Sequence, residues 1–158
     1  MKPLALILSM GMLWCCQPTA PEKTFSPELV IEEVTEMLHQ YHQAIEEGGL
    51  ETEFDYLDDS DDFFWVPPGF KSALDYDSVA IILRANDKSI EKIVLTWDSL
   101  HVTPLRSDLA QYYGTINSSV IDTAQMTTES LLIETGLIIK RADGWKLLSG
   151  QSAFFPKE

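Results

Sequence analysis

The chain has 158 residues, 25 acidic against 11 basic, for a formal charge of −14 at pH 7. That length suits one domain with a substantial core, and that charge argues against nucleic acid or an anionic membrane surface as a partner. The only cysteines, Cys15 and Cys16, are adjacent near the N-terminus, which leaves the rest of the chain without a disulfide, a thiolate metal site or a cysteine nucleophile.

Residues 1–16 are set apart by composition. Lys2 precedes an apolar run from Leu4 to Trp14, followed by Cys15-Cys16-Gln17. This is the shape of a signal peptide and is too short for a stable membrane span. It resembles a bacterial lipoprotein signal, in which a cysteine becomes the lipid-modified N-terminus. Leu13 three residues upstream and the small Cys15 just before it point to Cys16. The resemblance implies the bacterial cell envelope, with the membrane reached only through the lipid and simple secretion as the alternative. Residues 17–25, carrying Pro18 and Pro21 and no apolar period, read as a tether. The domain follows from 26 to 158.

Ser26-Pro27 suits a helix start, because Ser can cap and Pro lacks an N–H that would be unpaired there. Val30, Val34, Met37, Leu38, Tyr41 and Ile45 form one apolar stripe, and Gly48-Gly49 ends it. His39 and His42 lie three apart on this helix, too few ligands for a metal site, and read as surface or boundary histidines. A short helix is predicted over Leu50 to Leu57. The run Asp58 to Asp62 lacks the Gly and Glu of a calcium loop and reads as a solvated segment. Phe63 to Val66 reads as a short strand stopped by Pro67-Pro68-Gly69. A third helix is predicted from about Tyr76 to Asn86, with Val79, Ile82 and Leu83 on one face.

After Asp87 the period changes to two. Ile93 to Leu105, Leu109 to Ile121, Leu131 to Arg141 and Trp145 to Phe155 read as four strands. Short turns between them, among them Ala142-Asp143-Gly144, predict an antiparallel meander. The expected class is α+β, with helices packed on a curved antiparallel sheet. Apolar residues on both faces, such as Leu132 and Ile138 beside Ile133 and Leu137, predict a second layer over the sheet. A homodimer through the sheet would supply it.

The segments YHQAIEEGGLETEFDYLDD, FFWVPPG and IIKRADGWKLLSGQSAFF, in this order of elements, resemble the nuclear-transport-factor-2-like superfamily. Within it they resemble SnoaL-like and DUF4440-type domains, over about residues 26 to 155. The resemblance implies an NTF2-like cone, or cystatin-like roll, whose sheet curls round the long helix and leaves an apolar cavity. Members include isomerases, cyclases, dehydratases, ligand-binding domains and proteins of no known function. Many DUF4440-like sequences carry a cavity-facing His in the last strand, and alignment on Trp145 places Gln151 there.

Isomerase or cyclase chemistry needs a carboxylate or His base in an apolar pocket and a donor opposite. Asp98, His101 and Glu134 are candidate bases, with Tyr41, Tyr56 and Tyr113 as donors. Strict alternation puts Asp98 and His101 on opposite faces unless a bulge intervenes, and the Trp145 alignment turns Glu134 outward. No catalytic residue is therefore assigned, and no cofactor or metal is expected. The pocket candidates are Tyr41, Tyr56, Phe64, Trp65, Trp97, His101, Tyr113 and Gln151, mostly apolar walls with a few polar groups. The expected role is binding of a small apolar molecule. The alternatives are an isomerase- or cyclase-type enzyme using the same pocket, and an envelope interaction module without ligand. For the anchor, replacing Cys16 with Ser is expected to move the protein from the membrane to the soluble fraction; unchanged fractionation overturns that reading.

Overall fold

Ser26 begins the long helix as its chemistry predicts. In the computed structural model, which describes residues 25–155, its hydroxyl accepts from the Leu29 N–H at 3.4 Å and Pro27 takes the first helical position. The leader, Cys16 and nearly all of the tether lie outside the described residues. Helix α1 runs Pro27–Gly48 and buries Val30, Val34, Met37, Leu38, Tyr41, His42 and Ile45. Gly49, at φ 83°, turns the chain and donates to the Ile45 carbonyl. A 3₁₀ helix, Leu50–Asp55, follows; the Leu50 N–H donates to Asp87 Oδ1 at 2.7 Å and so ties it to α2, Tyr76–Asp87. Asp75 caps α2 by accepting from the Ser78 N–H.

The four long strands are β2 (Ile90–Arg106), β3 (Leu109–Asp122), β4 (Thr127–Arg141) and β5 (Gly144–Phe154), and they form the expected meander. The short strand β1, Phe64–Val66, joins the sheet too. It lies parallel to β5 at the edge, giving the order β1-β5-β4-β3-β2. The sheet is therefore mixed rather than wholly antiparallel, with the helices packed on its curved inner side.

Two bulges decide which residues face that side. Trp97 pairs with Ile116 but Ser99 with Thr115, leaving Asp98 as the extra residue. Leu147 pairs with Ile138 but Ser149 with Leu137, leaving Leu148 extra. Each extra residue reverses the alternation downstream and bends the strand. The inner face accordingly carries Trp97 and then Leu100 on β2, and Ala110, Tyr112, Gly114 and Ile116 on β3. It continues with Glu134, Gly136 and Ile138 on β4, and on β5 with Trp145 and Leu147 before the bulge and Gly150 and Ser152 after it.

The inward glycines seat aromatic rings. A Cβ on Gly136 would stand 2.9 Å from the Tyr112 ring, one on Gly114 2.9 Å from the Trp97 ring, and one on Gly150 2.6 Å from the Trp65 ring. Bare backbone at these points makes room for three large rings close against the sheet.

Asp58 departs from the solvated run expected for it. It is buried, its N–H donates to the Leu147 carbonyl, and its carboxylate accepts from Arg141 Nε at 2.8 Å and Nη2 at 2.7 Å. This two-pronged bond, the largest cause, holds the Asp58 carboxyl below its usual range. The clasp joins the segment after the 3₁₀ helix to the tip of the β4–β5 hairpin.

Candidate functional site

Five elements bring six polar or aromatic side chains together beneath α1. Tyr41 and His42 come from α1, Glu53 from the 3₁₀ helix, Trp97 from β2, Tyr112 from β3 and Glu134 from β4. The Tyr41 hydroxyl donates to Glu53 Oε2 at 2.7 Å, and the Tyr112 hydroxyl donates to Glu134 Oε1 at 2.8 Å. Trp97 meets Tyr112 edge-on with ring centres 6.0 Å apart, and stacks on His42 at 4.7 Å. Tyr41 leans on both His42 and Tyr56 at 5.5 Å.

The electrostatics follow from burial. Tyr112 is fully buried and Glu134 is 8% exposed. Among the described residues, no lysine or arginine pairs with Glu53 or Glu134. Desolvation pushes the Glu134 carboxyl up to about 7, against the opposing hydrogen bond from Tyr112. Desolvation also pushes Glu53 up to about 7; the Tyr41 hydrogen bond opposes it, and the charge of Glu134 adds to it. Burial, with the charges of Glu53 and Glu134, raises both phenols well above their ordinary value, so they remain donors. Burial, helped by His39, lowers His42 to about 4 and keeps its ring neutral.

The structure divides the sequence-based candidates. Tyr41, Tyr56, Trp65 and Trp97 lie on the inner side, with Trp65 Nε1 donating to Ser152 Oγ at 3.3 Å beside Glu134. Phe64, His101, Tyr113 and Gln151 lie on the outer face. Phe64 pairs with Ser149 there, and exposed His101 stacks on exposed Tyr113 at 4.8 Å. Gln151, expected at the cavity, is exposed and pairs with Thr135, because the bulge at Leu148 has reversed its side. The same correction applies to Glu134, which points inward. The bulge at Asp98 does intervene, yet it brings neither candidate base inside. Asp98 accepts from outward Thr115 at 3.1 Å, on the same face as His101.

Glu53, Tyr112 and His42 were missed as site residues. For Tyr112 a signal existed. Gln111, Tyr113, Thr115, Asn117 and Ser119 form a polar alternate series, which marks the intervening residues as inward. Among the described residues, no group of three or more His, Cys, Asp or Glu is placed to hold a metal. Clefts of about 620 Å³ beside Asn117 and Phe154, and about 310 Å³ over Phe64 and Gln151, open on the surface. The carboxyl pair lines neither.

No family model matches the chain, and no curated protein matches its sequence. Solved structures are similar to it over 79 to 84% of its length. A protein designated a dehydratase from the NTF2-like family of Streptomyces avermitilis superposes with a TM-score of 0.71 at 22% identity, over 84% of this chain and 100% of that one. An NTF2-like superfamily protein from Salmonella enterica gives 0.70 at 15% identity, over 82% and 94%. A protein designated a scytalone dehydratase from Novosphingobium aromaticivorans gives 0.67 at 8%, over 79% and 83%. At these identities the likeness shows the fold, which is NTF2-like, and that fold serves both ligand-binding proteins and enzymes.

The raised carboxyls have a consequence for stability. Between the ordinary carboxyl range near 4.5 and about 7, the folded chain holds protons that the unfolded chain has lost. Stability therefore falls as pH rises through this window, by up to about 1.4 kcal/mol per pH unit for each group. Urea denaturation is expected to show a more stable protein at pH 5 than at pH 8. Glu134→Gln, which keeps an acceptor for Tyr112, is expected to flatten part of that slope; equal slopes overturn the assignment.

Proposed function

We propose that this protein binds a small, mainly apolar molecule inside its cone and acts on it by proton transfer, as an isomerase or lyase does. The observation that carries this reading is the carboxyl pair of buried Glu134 and half-buried Glu53, each member held by a tyrosine hydroxyl and each with its pKa near 7. Two carboxyls in this range hold about one proton between them at neutral pH. Both groups lie near 7, and the charge of Glu134 raises Glu53, so ionisation of one disfavours ionisation of the other. In this reading Glu134 serves as the base and Glu53 keeps the proton that an acid needs. The Tyr41, Tyr56, Trp97 and Tyr112 rings supply the apolar wall.

The site is closed as it stands, with Tyr41 and Glu134 each 8% exposed. Entry requires the 3₁₀ helix carrying Glu53 to swing away from Tyr41. The finer likeness to SnoaL-like and DUF4440-type domains belongs to this proposal and adds no residue to the site. Binding without turnover is the second reading, and the aromatic lining favours it equally.

The unidentified substrate is replaced by a set of small cyclic ketones in deuterium oxide, with exchange beside the carbonyl followed by NMR. Exchange above the buffer rate is expected, with Glu134→Gln slower by about 100-fold or more. Equal rates in both proteins overturn proton transfer. A small molecule retained on native mass spectrometry, without exchange, leaves binding alone.

We also propose that a second copy covers the outer sheet face. Phe64, Tyr113 and Ile133, 46 to 51% exposed, stand there among polar neighbours. Ile133→Glu is expected to halve the sedimenting mass; a wild-type monomer overturns the dimer.

A further inference from the structure

Among the described residues, three buried side-chain nitrogens have no hydrogen-bond partner: His42 Nδ1, His42 Nε2 and Trp97 Nε1. All three belong to one stacked pair, with ring centres 4.7 Å apart and planes 16° apart. His42 is only 5% exposed. Polar atoms in folded interiors are nearly always paired, and an unpaired donor is costly. Here the unpaired atoms cluster instead of scattering. They also adjoin the carboxyl pair, since Trp97 meets the Tyr112 ring whose hydroxyl holds Glu134.

We propose that His42 and Trp97 form the polar end of the site, binding an uncharged carbonyl or hydroxyl oxygen of the ligand and discriminating against carboxylates, phosphates and ammonium groups. This rests on the reading that the cone interior binds a small molecule, and it names that molecule's class. The indole Nε1 is a donor only, so it calls for an acceptor. A neutral imidazole offers one donor and one acceptor, the complement of a hydroxyl, and a carbonyl satisfies its donor alone. Burial and the nearby His39 keep His42 in that neutral form. An anion would enter beside Glu53 and Glu134, with no lysine or arginine paired to either among the described residues. An ammonium group brings only donors and leaves the indole N–H unmet.

The test uses the unmutated protein labelled with nitrogen-15. The Trp97 indole resonance is identified by its loss in Trp97→Phe and followed during titration with cyclohexanone, cyclohexanol, methylcyclohexane, cyclohexylamine and cyclohexanecarboxylate. Cyclohexanone and cyclohexanol are expected to shift that resonance and to bind at least about ten-fold more tightly than the carboxylate or the amine. Trp97→Phe and His42→Phe, which keep an aromatic ring in the stack, are expected to cut the advantage of cyclohexanol over methylcyclohexane about ten-fold.

Equal binding of the carboxylate, an unmoved indole resonance, no binding of any probe, or an undiminished cyclohexanol advantage in the variants overturns the proposal and leaves the three nitrogens to ordered water. The outcome is separable from that of proton transfer. An indole response without deuterium exchange sinks the catalytic reading alone. Exchange without an indole response sinks this one alone.

Discussion

Among the described residues, buried Glu134 and half-buried Glu53 have tyrosine hydroxyls, and no cations, as their hydrogen-bond partners. Removing an ionised carboxylate from water costs several kcal/mol, and a single phenol hydrogen bond returns only part of that. The chain answers by letting the carboxyls hold protons near neutral pH. Much of the architecture serves to keep them dry. The 22-residue α1 covers the sheet with its apolar stripe, and the 3₁₀ helix, hooked to α2 through Leu50 and Asp87, closes over Tyr41. A protein selecting only for stability would place Leu or Met at 53 and 134. Retaining acids there is the kind of local cost that accompanies function.

The clasp of Arg141 on Asp58 fits the same picture. It fixes the segment just after the 3₁₀ helix to the hairpin tip, so the chain on the far side of Glu53 has a rigid mooring. On the near side, Gly49 and the Leu50 bond to α2 form the other. The short element bearing Glu53 is held at both ends while its middle rests on Tyr41 through one hydrogen bond.

Much of the fold was legible because its signals are local. The stripe from Val30 to Ile45, the Ser26 cap, the Gly49 stop and the Asp143-Gly144 turn each follow from residue chemistry, and each stands where it was expected. The parallel pairing of β1 with β5 was not legible, because it joins segments about 85 residues apart and no turn announces it. The site was harder to read, since it depends on parity. On β3 the polar odd series made the inner face readable. On β4 the outward residues Ile133, Leu137 and Ile139 are as apolar as the inward Leu132 and Ile138, so composition gives no direction, and the alignment on Trp145 turns Glu134 the wrong way because the bulge at Leu148 intervenes. Asp98 and Leu148 carry no mark of a bulge in their own chemistry. Glu53 looked like one more acid in an acidic stretch.

The bulge at Leu148 decides how the site responds to a change in strand length. Loss of the single residue Leu148 would remove the unpaired residue and restore strict alternation, and with Ser149 following Leu147 directly, Gly150 and Ser152 would still face the helices and Gln151 would still face outward. Trp65 would keep both its seat on Gly150 and its hydroxyl partner on Ser152. A residue lost just after the bulge would instead turn every later side chain of β5 over and carry Gln151 to the inner face. Neighbouring positions on one strand thus differ sharply in what a single deletion does to the interior.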